Sequence, residues 1–312
     1  MKSPFVYSDD NKRYHTYNYY LRHRFGQKVP KISLDAGFTC PNRDGTKGFG
    51  GGIYCSDKRS GDFAGNSCDD IQVQFEKVKE KLNSKWDNHK FIPYFQAGTN
   101  TYADFETLKE IFEKAIRFDN VVGIAVATRA DCITEEIADF FAQLSKDYYV
   151  TVELGLQTVH DKTANLINRC HSYDEFLTGY NLLKSKGIKT CIHVINGLPY
   201  ETREMMMKTA KEVAKLHPHS VKLHLLHILK GTKLERLYNE KPFSVFALDE
   251  YASLICDQLE VLPNDVVIQR ITGDGAKADL VAPLWSMDKF RVMNEIDKEM
   301  LRRNTVQGAK CF

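Results

Sequence analysis

Short apolar, β-branched runs recur along this chain, and each is followed by a segment with helical periodicity. The runs are Lys31–Asp35, Phe91–Gln96, Val121–Thr128, Tyr148–Leu156, Thr190–Ile195 and Ser220–Leu229. Between them, Leu108, Ile111, Phe112, Ala115 and Ile116 fall on one helical face, and Ile137, Phe140, Phe141 and Leu144 repeat the pattern. Ser172 with Glu175 spells a capping box, and Gly187 fits the position just past that helix. Thr202–Leu216 reads as a further helix, followed by Pro218. Strands that alternate with helices imply parallel βαβ units, because parallel neighbours need a crossover. Six units are too few for a complete eight-fold barrel. They suit a partial barrel or a doubly wound sheet, and in both the reactive groups belong at the C-terminal ends of the strands. The tail adds a helix over 248–262, a strand over 266–271 and a last helix over 287–303. The expected division is an N-terminal basic helical segment (1–30), the six-strand α/β body (31–238) and a C-terminal α/β extension packed on it (239–312).

At 312 residues with 43% hydrophobic and 27% charged residues, the chain can bury a large core, which excludes a disordered chain. No run reaches the roughly 18 apolar residues of a membrane span. The start, MKSPFVYSDDNKRYH, has no apolar signal region. These features predict a cytoplasmic setting with no membrane partner, where eight cysteines stay out of disulfides. Charge is unevenly spread. Residues 1–31 hold seven Lys/Arg against two Asp, and residues 289–312 hold six against three acidic groups, which leaves an acidic middle. Basic ends on an acidic body suit a nucleic-acid contact or two solvated helical faces.

The glycine-rich segment after the first strand carries Cys40 and Cys55, fifteen positions apart. Soft thiolates on such a loop suit an iron–sulfur cluster or zinc, although two cysteines alone also suit incidental thiols. Cys68 stands near an expected helix start at Asp69, while Cys132, Cys170, Cys191, Cys256 and Cys311 lack ligand spacing. Other polar groups gather at strand ends. Gln96, Asn100, Thr101 and Tyr102 end the second strand, and Arg129 and Asp131 the third. Glu153, Gly155 and Gln157 share one face of the fourth strand by period-two alternation. A carboxylate there is costly to bury without a partner. His193 lies inside the fifth strand, with Asn196, Gly197, Leu198 and Pro199 at its end. Singly, His193, His224 and His227 read as hydrogen-bonded core histidines. Arg270 and Asp274 are expected to cap the barrel from the tail.

Long ordered stretches carry a resemblance: FGQKVPKISLDAGFTCPNRDGTKG, SGDFAGN, YFQAGTNTYA, ATRADCI, ELGLQTVHD, HVINGLPYET, KLHLLHILKGT and RITGDGAKADLVAPLWSMDKF. In these the chain resembles the YtqA/YhcC-type branch of the radical S-adenosylmethionine (SAM) proteins, within the elongator-like group. The resemblance implies a partial (β/α)6 TIM-like barrel. It implies a 4Fe–4S cluster held by three thiolates, its fourth iron open to SAM, that cleaves SAM and so abstracts hydrogen from a substrate. It further implies tRNA as partner, with modification of a wobble carboxymethylaminomethyl-uridine, and a flavodoxin or ferredoxin as electron donor. Cys40 and Cys55 occupy the first and third ligand positions, and Gly52 stands where the middle cysteine is expected. Glu153 and Gln157 match positions expected to meet SAM or substrate, and Asn196, Gly197 and Pro199 lie in a turn that resembles the one meeting the adenine of SAM; Gln96 and Asn100, on the rim, and His193 join them as candidate cofactor-binding residues. Three accounts of Gly52 are open. Position 52 is altered in a chain otherwise built for catalysis; or the chain is a silent SAM- or tRNA-binding barrel; or Cys68, a water or a thiol replaces the ligand.

Overall fold

Each apolar run becomes a strand: β1 Lys31–Leu34, β2 Ile92–Phe95, β3 Gly123–Thr128, β4 Tyr149–Gln157, β5 Lys189–Asn196 and β6 Ser220–Leu225. The sixth run breaks, and its end forms a separate short strand, β7 Ile228–Leu229. The tail adds β8 Val267–Arg270 and β9 Leu280–Ala282. The helices are α1 Tyr17–Phe25, α2 Ile71–Asn83, α3 Phe105–Ile116, α4 Glu135–Leu144, α5 Asp161–Leu166, α6 Tyr173–Ser185, α7 Arg203–Leu216, α8 Lys233–Glu240, α9 Leu248–Val261 and α10 Lys289–Arg302. This computed structural model describes residues 4–56, 64–83, 89–273 and 278–311. Asp274 therefore lies outside the described residues.

The main sheet runs β1-β2-β3-β4-β5-β6-β8, and β7 pairs with β9 in a second, antiparallel sheet. β8 pairs with β6 in parallel, Val221 opposite Ile268. The tail thus supplies a seventh strand as well as covering helices.

The chain divides into two compact units. One comprises Leu21–Gly155 and Asn168–Cys191; the other comprises Met1–Tyr20, Leu156–Ile167 and Ile192–Phe312. In the first, β1 to β4 are parallel, with Lys31 opposite Ile92, Tyr94 opposite Ala125 and Ala127 opposite Glu153. All four residues of β2 are buried, as expected for a parallel strand covered on both faces. Helix α3 buries Leu108, Phe112, Ala115 and Ile116, and α4 buries Ile137, Ala138 and Phe141. The Phe112 ring meets Phe95 edge-on at 4.9 Å and Phe141 at 5.7 Å. The helix starts are fixed by caps: Asp104 accepts from Thr107 N, Thr134 from Ile137 N, and Ser172 with Glu175 closes the expected capping box. Gly187, at φ +71°, follows α6 as its sequence position suggested. Gly179 lies mid-helix in α6, where a Cβ would stand 2.0 Å from the Ala130 carbonyl oxygen. Its missing side chain lets α6 close on the β3 exit.

In the second unit, α9 buries Tyr251, Leu254, Ile255, Cys256 and Leu259, and α10 buries Val292, Ile296 and Met300. Four cations of the basic ends are paired here. Lys12 pairs with Asp297, Lys310 with Glu260, Arg302 with Glu299, and Arg303 with Asp257 and Glu299. No helix among the described residues is long and apolar enough to cross a membrane.

Candidate functional site

The loop that follows β1 is organised by its own backbone. Gln74 of α2 grips Asp35 at the strand exit, accepting from its N–H at 2.9 Å and donating to its carbonyl at 2.9 Å. The Cys40 carbonyl accepts from Arg43 N at 2.7 Å, and the Pro41 carbonyl from Lys47 N at 2.8 Å. Gly51 N donates to Asn42 O at 2.7 Å, and Cys55 N to Gly52 O at 3.0 Å, closing the turn that presents Cys55. Gly50 and Gly51 sit at φ +76° and +74°, which glycine adopts without Cβ strain.

Three neighbours then tether the loop. The first is the turn before α6. The Asn42 amide donates to the Asn168 carbonyl, the Asn168 amide donates to Gly51 O at 2.7 Å and Phe49 O at 3.2 Å, and the Cys170 thiol donates to Asn42 Oδ1 at 2.9 Å. A Cβ on Gly48 would fall 2.4 Å from Asn42 Oδ1 and 2.7 Å from Cys170 Sγ, so this knot admits only glycine there. The second is the β2 exit, where Thr99 N donates to Thr39 O at 3.0 Å and the Thr46 and Tyr102 hydroxyls meet at 2.7 Å. The third is the β3 exit, where Lys47 Nζ reaches Asp131 at 2.7 Å.

Asp131 accepts both prongs of the Arg129 guanidinium at 2.9 Å, and Arg129 donates onward to Arg169 O at 2.7 Å and Cys170 O at 3.2 Å. Burial opposes both charges, but the bidentate pair outweighs it: the Asp131 carboxyl is held below its usual range and Arg129 above its own. His171 Nδ1 lies 3.1 Å from Arg129 Nη2, and burial, with the cations Arg169 and Arg129, pushes its pKa down to about 3. The imidazole is therefore neutral, with Nδ1 placed to accept. Burial and Asp131 push the Cys132 thiol up to about 12, which leaves it protonated.

The other sequence-nominated residues divide between the units. In the first are Gln96, Asn100 and Glu153. Glu153 is buried, with Lys31 paired to one oxygen and the Tyr94 hydroxyl donating to the other at 2.8 Å. Asn100 is fully buried and donates to Phe95 O at 3.1 Å and Ala127 O at 2.9 Å, while its Oδ1 has no partner. In the second are Gln157, His193, Asn196, Gly197 and Pro199. Gln157 ends β4 at φ +60°, a left-handed conformation uncommon outside glycine. The His193 ring packs on His224, centroids 5.2 Å apart. Asn196 and Gln258 exchange two amide hydrogen bonds, both 2.8 Å. Gly197, beside the buried Pro199, opens onto a cavity of about 1210 Å³ shared with Tyr200, Glu201, Arg203 and Phe246. His227 falls between β6 and β7, not on the sixth strand as its run implied, and burial lowers its pKa to about 4.

A family model described as the Radical SAM superfamily matches residues 53–213, and one described as the Radical_SAM C-terminal domain matches residues 218–302. The chain belongs to the radical SAM superfamily. YtqA of Bacillus subtilis is 49% identical over 306 residues, 98% of this chain and 95% of that protein. A tRNA uridine(34) acetyltransferase of Methanocaldococcus infernus is 28% identical over 156 residues, 49% of this chain and 29% of that enzyme. Among solved structures, the archaeal Methanocaldococcus infernus Elp3 with an N-terminal deletion superposes with a TM-score of 0.65 at 18% identity, covering 89% of this chain and 64% of that one. That likeness shows the fold, an α/β partial barrel of the radical SAM type.

Radical SAM membership implies a 4Fe–4S cluster and SAM, and the loop tests that implication. Cys40 and Cys55 are half-buried, and the Tyr54 phenol is pushed up by burial and then by its neighbours, Cys55 more than Cys40. Among the described residues, no histidine, third cysteine or carboxylate completes a metal-binding group with these two thiols. Cys68 is exposed on the turn before α2, its N–H bonded to Asn66 Oδ1 at 3.1 Å, and joins no such group. Two thiolates do not make the three-thiolate set, so the residues present do not fit the cluster. Asn42, Asn168, Cys170 and Gly48 escaped sequence reasoning; the only local hint was Asn168 and Cys170 flanking an arginine in a turn.

Proposed function

We propose that this radical SAM chain serves tRNA wobble-uridine modification. SAM and the wobble carboxymethylaminomethyl-uridine would be its ligands. The observation that carries this reading is the Cys40–Cys55 loop, tethered to the β2 exit, the β3 exit and the turn before α6. The likeness to a tRNA uridine(34) acetyltransferase supports tRNA as the substrate class. No bond-breaking step is assigned to this chain as written, because its thiolate set is incomplete. Its own residues position the loop: Asn42 and Asn168 hold its tip, and Arg129 and Asp131 hold Lys47 and the turn before α6. The test is nucleoside analysis of tRNA from a deletion strain. Carboxymethylaminomethyl-uridine should accumulate; unchanged wobble nucleosides would reject the assignment.

Gly52 favours a second reading, a catalytically silent barrel that binds SAM or an anticodon stem-loop. Protein purified without oxygen and supplied with iron, sulfide and dithionite separates the two. Binding of either ligand without release of 5′-deoxyadenosine supports the silent reading, and steady release removes it.

A further inference from the structure

We infer that the ridge of Leu284, Met287 and Phe290, with Lys289 and Arg291 beside it, is a docking surface for an unstacked base and its phosphates in single-stranded RNA. The inference rests on the wobble-uridine reading for which RNA this is, an anticodon loop, and on the chain's own residues for the surface. Leu284, Met287 and Phe290 recur at every third position across a short 3₁₀ turn, Leu284–Met287, and the start of α10. They are 58%, 38% and 76% exposed. Single exposed apolar residues are ordinary, whereas a contiguous ridge marks a contact. The fold turns this ridge outward on a fixed backbone. Between Leu284 and Met287, Trp285 is anchored by its indole N–H, which donates to Phe246 O at 2.9 Å, and by its ring, 5.8 Å from that of Tyr251. Ser286 is buried and donates to Pro283 O at 2.8 Å.

Charge here is set against the helix that carries it. The first turn of α10 holds Lys289 and Arg291 and no acidic residue, and its cap, Asp288, accepts from Arg291 N at 3.0 Å. Cations at a helix N-terminus oppose the helix dipole. The Arg291 guanidinium is exposed and has no hydrogen bond or ion pair among the described residues. Partial burial and then Arg270 hold the Lys289 ammonium below its usual range. Burial, then Lys289 and Arg270, act in the same way on His227, so three basic groups share the C-terminal ends of β6 and β8. Beside them, His227 Nε2 and Thr272 Oγ1 are buried with no hydrogen-bond partner among the described residues, and Thr272 is only 7% exposed. A phosphate answers each feature: it offsets the dipole, screens the cations from one another and accepts from a hydroxyl or a neutral imidazole. An anionic membrane also attracts cations beside apolar side chains, but interfacial binding grows with the apolar area inserted, and this ridge offers three side chains. One of the three is an aromatic ring set between two cations, the arrangement in which a base stacks while its phosphates are neutralised.

The test uses the full chain and a fluorescein-labelled anticodon stem-loop RNA with an unmodified wobble uridine, followed by fluorescence anisotropy over a range of salt. Phe290→Ala should weaken binding by roughly 5- to 140-fold, the weight of one base–aromatic stack. Phe290→Trp should stay within about twofold of the parent, since either ring stacks. Arg291→Gln should flatten the slope of log affinity against log salt by about 0.7, one phosphate on a single strand, whereas Phe290→Ala should leave that slope alone. Both side chains are exposed, so these variants should melt within roughly 2 °C of the parent. Failure of the parent chain to bind the stem-loop, or parent-like binding by Phe290→Ala, would overturn the inference. A fall of more than roughly 5 °C in the Phe290→Ala midpoint would overturn it too, because the ring would then be packing into the fold. Sedimentation with phosphatidylserine vesicles that Phe290→Ala abolishes, with RNA binding unchanged, would give the ridge to a membrane instead. The deletion-strain nucleosides decide the wobble-uridine assignment separately, and binding through Phe290 stands or falls on the stem-loop whatever they show.

Discussion

Glu153 matches a position expected to meet SAM or substrate, and within the first unit its carboxylate also pairs with Lys31 and accepts from Tyr94, a contact whose weight is measurable. Its side chain is 0% exposed and the Lys31 side chain is 14% exposed. Lys31 Nζ also stands 4.9 Å from the Tyr94 ring centroid, so one cation neutralises the carboxylate and covers the ring that donates to it. Lys31→Met keeps the stem's packing and removes only the charge. The carboxylate is then buried beside a neutral group, a change that costs about 3–5 kcal/mol when one member of a buried pair is lost. At about 2–4 °C per kcal/mol, the melting midpoint should fall by roughly 6–20 °C. Tyr94→Phe should cost less, about 1–3 kcal/mol, because the charge pair survives. Urea unfolding at neutral pH, followed by circular dichroism, measures each value. The decisive comparison is the double mutant Lys31→Met with Glu153→Gln. Removing both charges should recover a large part of the loss, giving a coupling energy above about 1 kcal/mol. Additive costs, or a Lys31→Met change below about 1 kcal/mol, would refute the claim that Lys31 neutralises Glu153.

Three further outcomes follow from named contacts. His171 has a folded pKa of about 3 against 6.5 unfolded, so the unfolded state takes up its proton first and stability falls as pH drops from 6.5 toward 3. At pH 4.5 that loss is about 2.7 kcal/mol; His171→Asn should show a correspondingly flatter profile in urea titrations at pH 7.5 and 4.5, and an unchanged slope would count against a neutral buried imidazole. Gly179→Ala would put a Cβ 2.0 Å from Ala130 O, and the forced shift of α6 should cost about 1–3 kcal/mol, although alanine is the better helix former. A neutral or stabilising result by thermal melting would show that α6 does not need the close approach. Asn196→Ala leaves the buried Gln258 amide without its two 2.8 Å partners and should destabilise the second unit by about 1–3 kcal/mol, with Asn196→Ala/Gln258→Leu recovering part of it.

How much was legible follows from where each signal resides. The strands β1 to β6 and the capping box at Ser172 are local, and both the hydrophobic period and the capping residues stand within a few positions of what they specify. The seventh strand was read as a strand, but its partner was not. Val267–Arg270 pairs in parallel with β6, and no periodicity within four residues names a partner some 45 positions away. The break between β6 and β7 falls where the apolar–polar alternation of Ser220–Leu229 slips, at Leu225 and Leu226, a one-residue change of phase inside a run that otherwise continues as a strand. The surplus of positive charge at the two ends was real as a count. Pairing takes up part of it: Lys310 meets Glu260 and Arg303 meets Asp257 outside the two ends, whereas Asp297 and Glu299 already belong to the count.

The candidate site shows the same division in sharper form. Cys40 and Cys55 could be named from type and spacing, because ligand chemistry belongs to the residue. The geometry that makes their loop a site belongs to contacts 126 positions apart, Asn42 with Asn168, and 84 apart, Lys47 with Asp131. Those partners are common polar residues whose role is invisible until the exits of β1, β2 and β3 converge. The two kinds of information are therefore separable. A change at a ligand position leaves the tethers untouched, and this chain carries glycine at position 52 with the Asn42, Asn168 and Lys47 contacts all in place. Asn42→Ala makes the converse change, keeping the two thiols and removing the clamp. It should cost about 1–3 kcal/mol in urea unfolding, because the Asn168 carbonyl and the Cys170 thiol each lose the partner Asn42 supplies. An unchanged unfolding midpoint would mean that this clamp does not hold the loop.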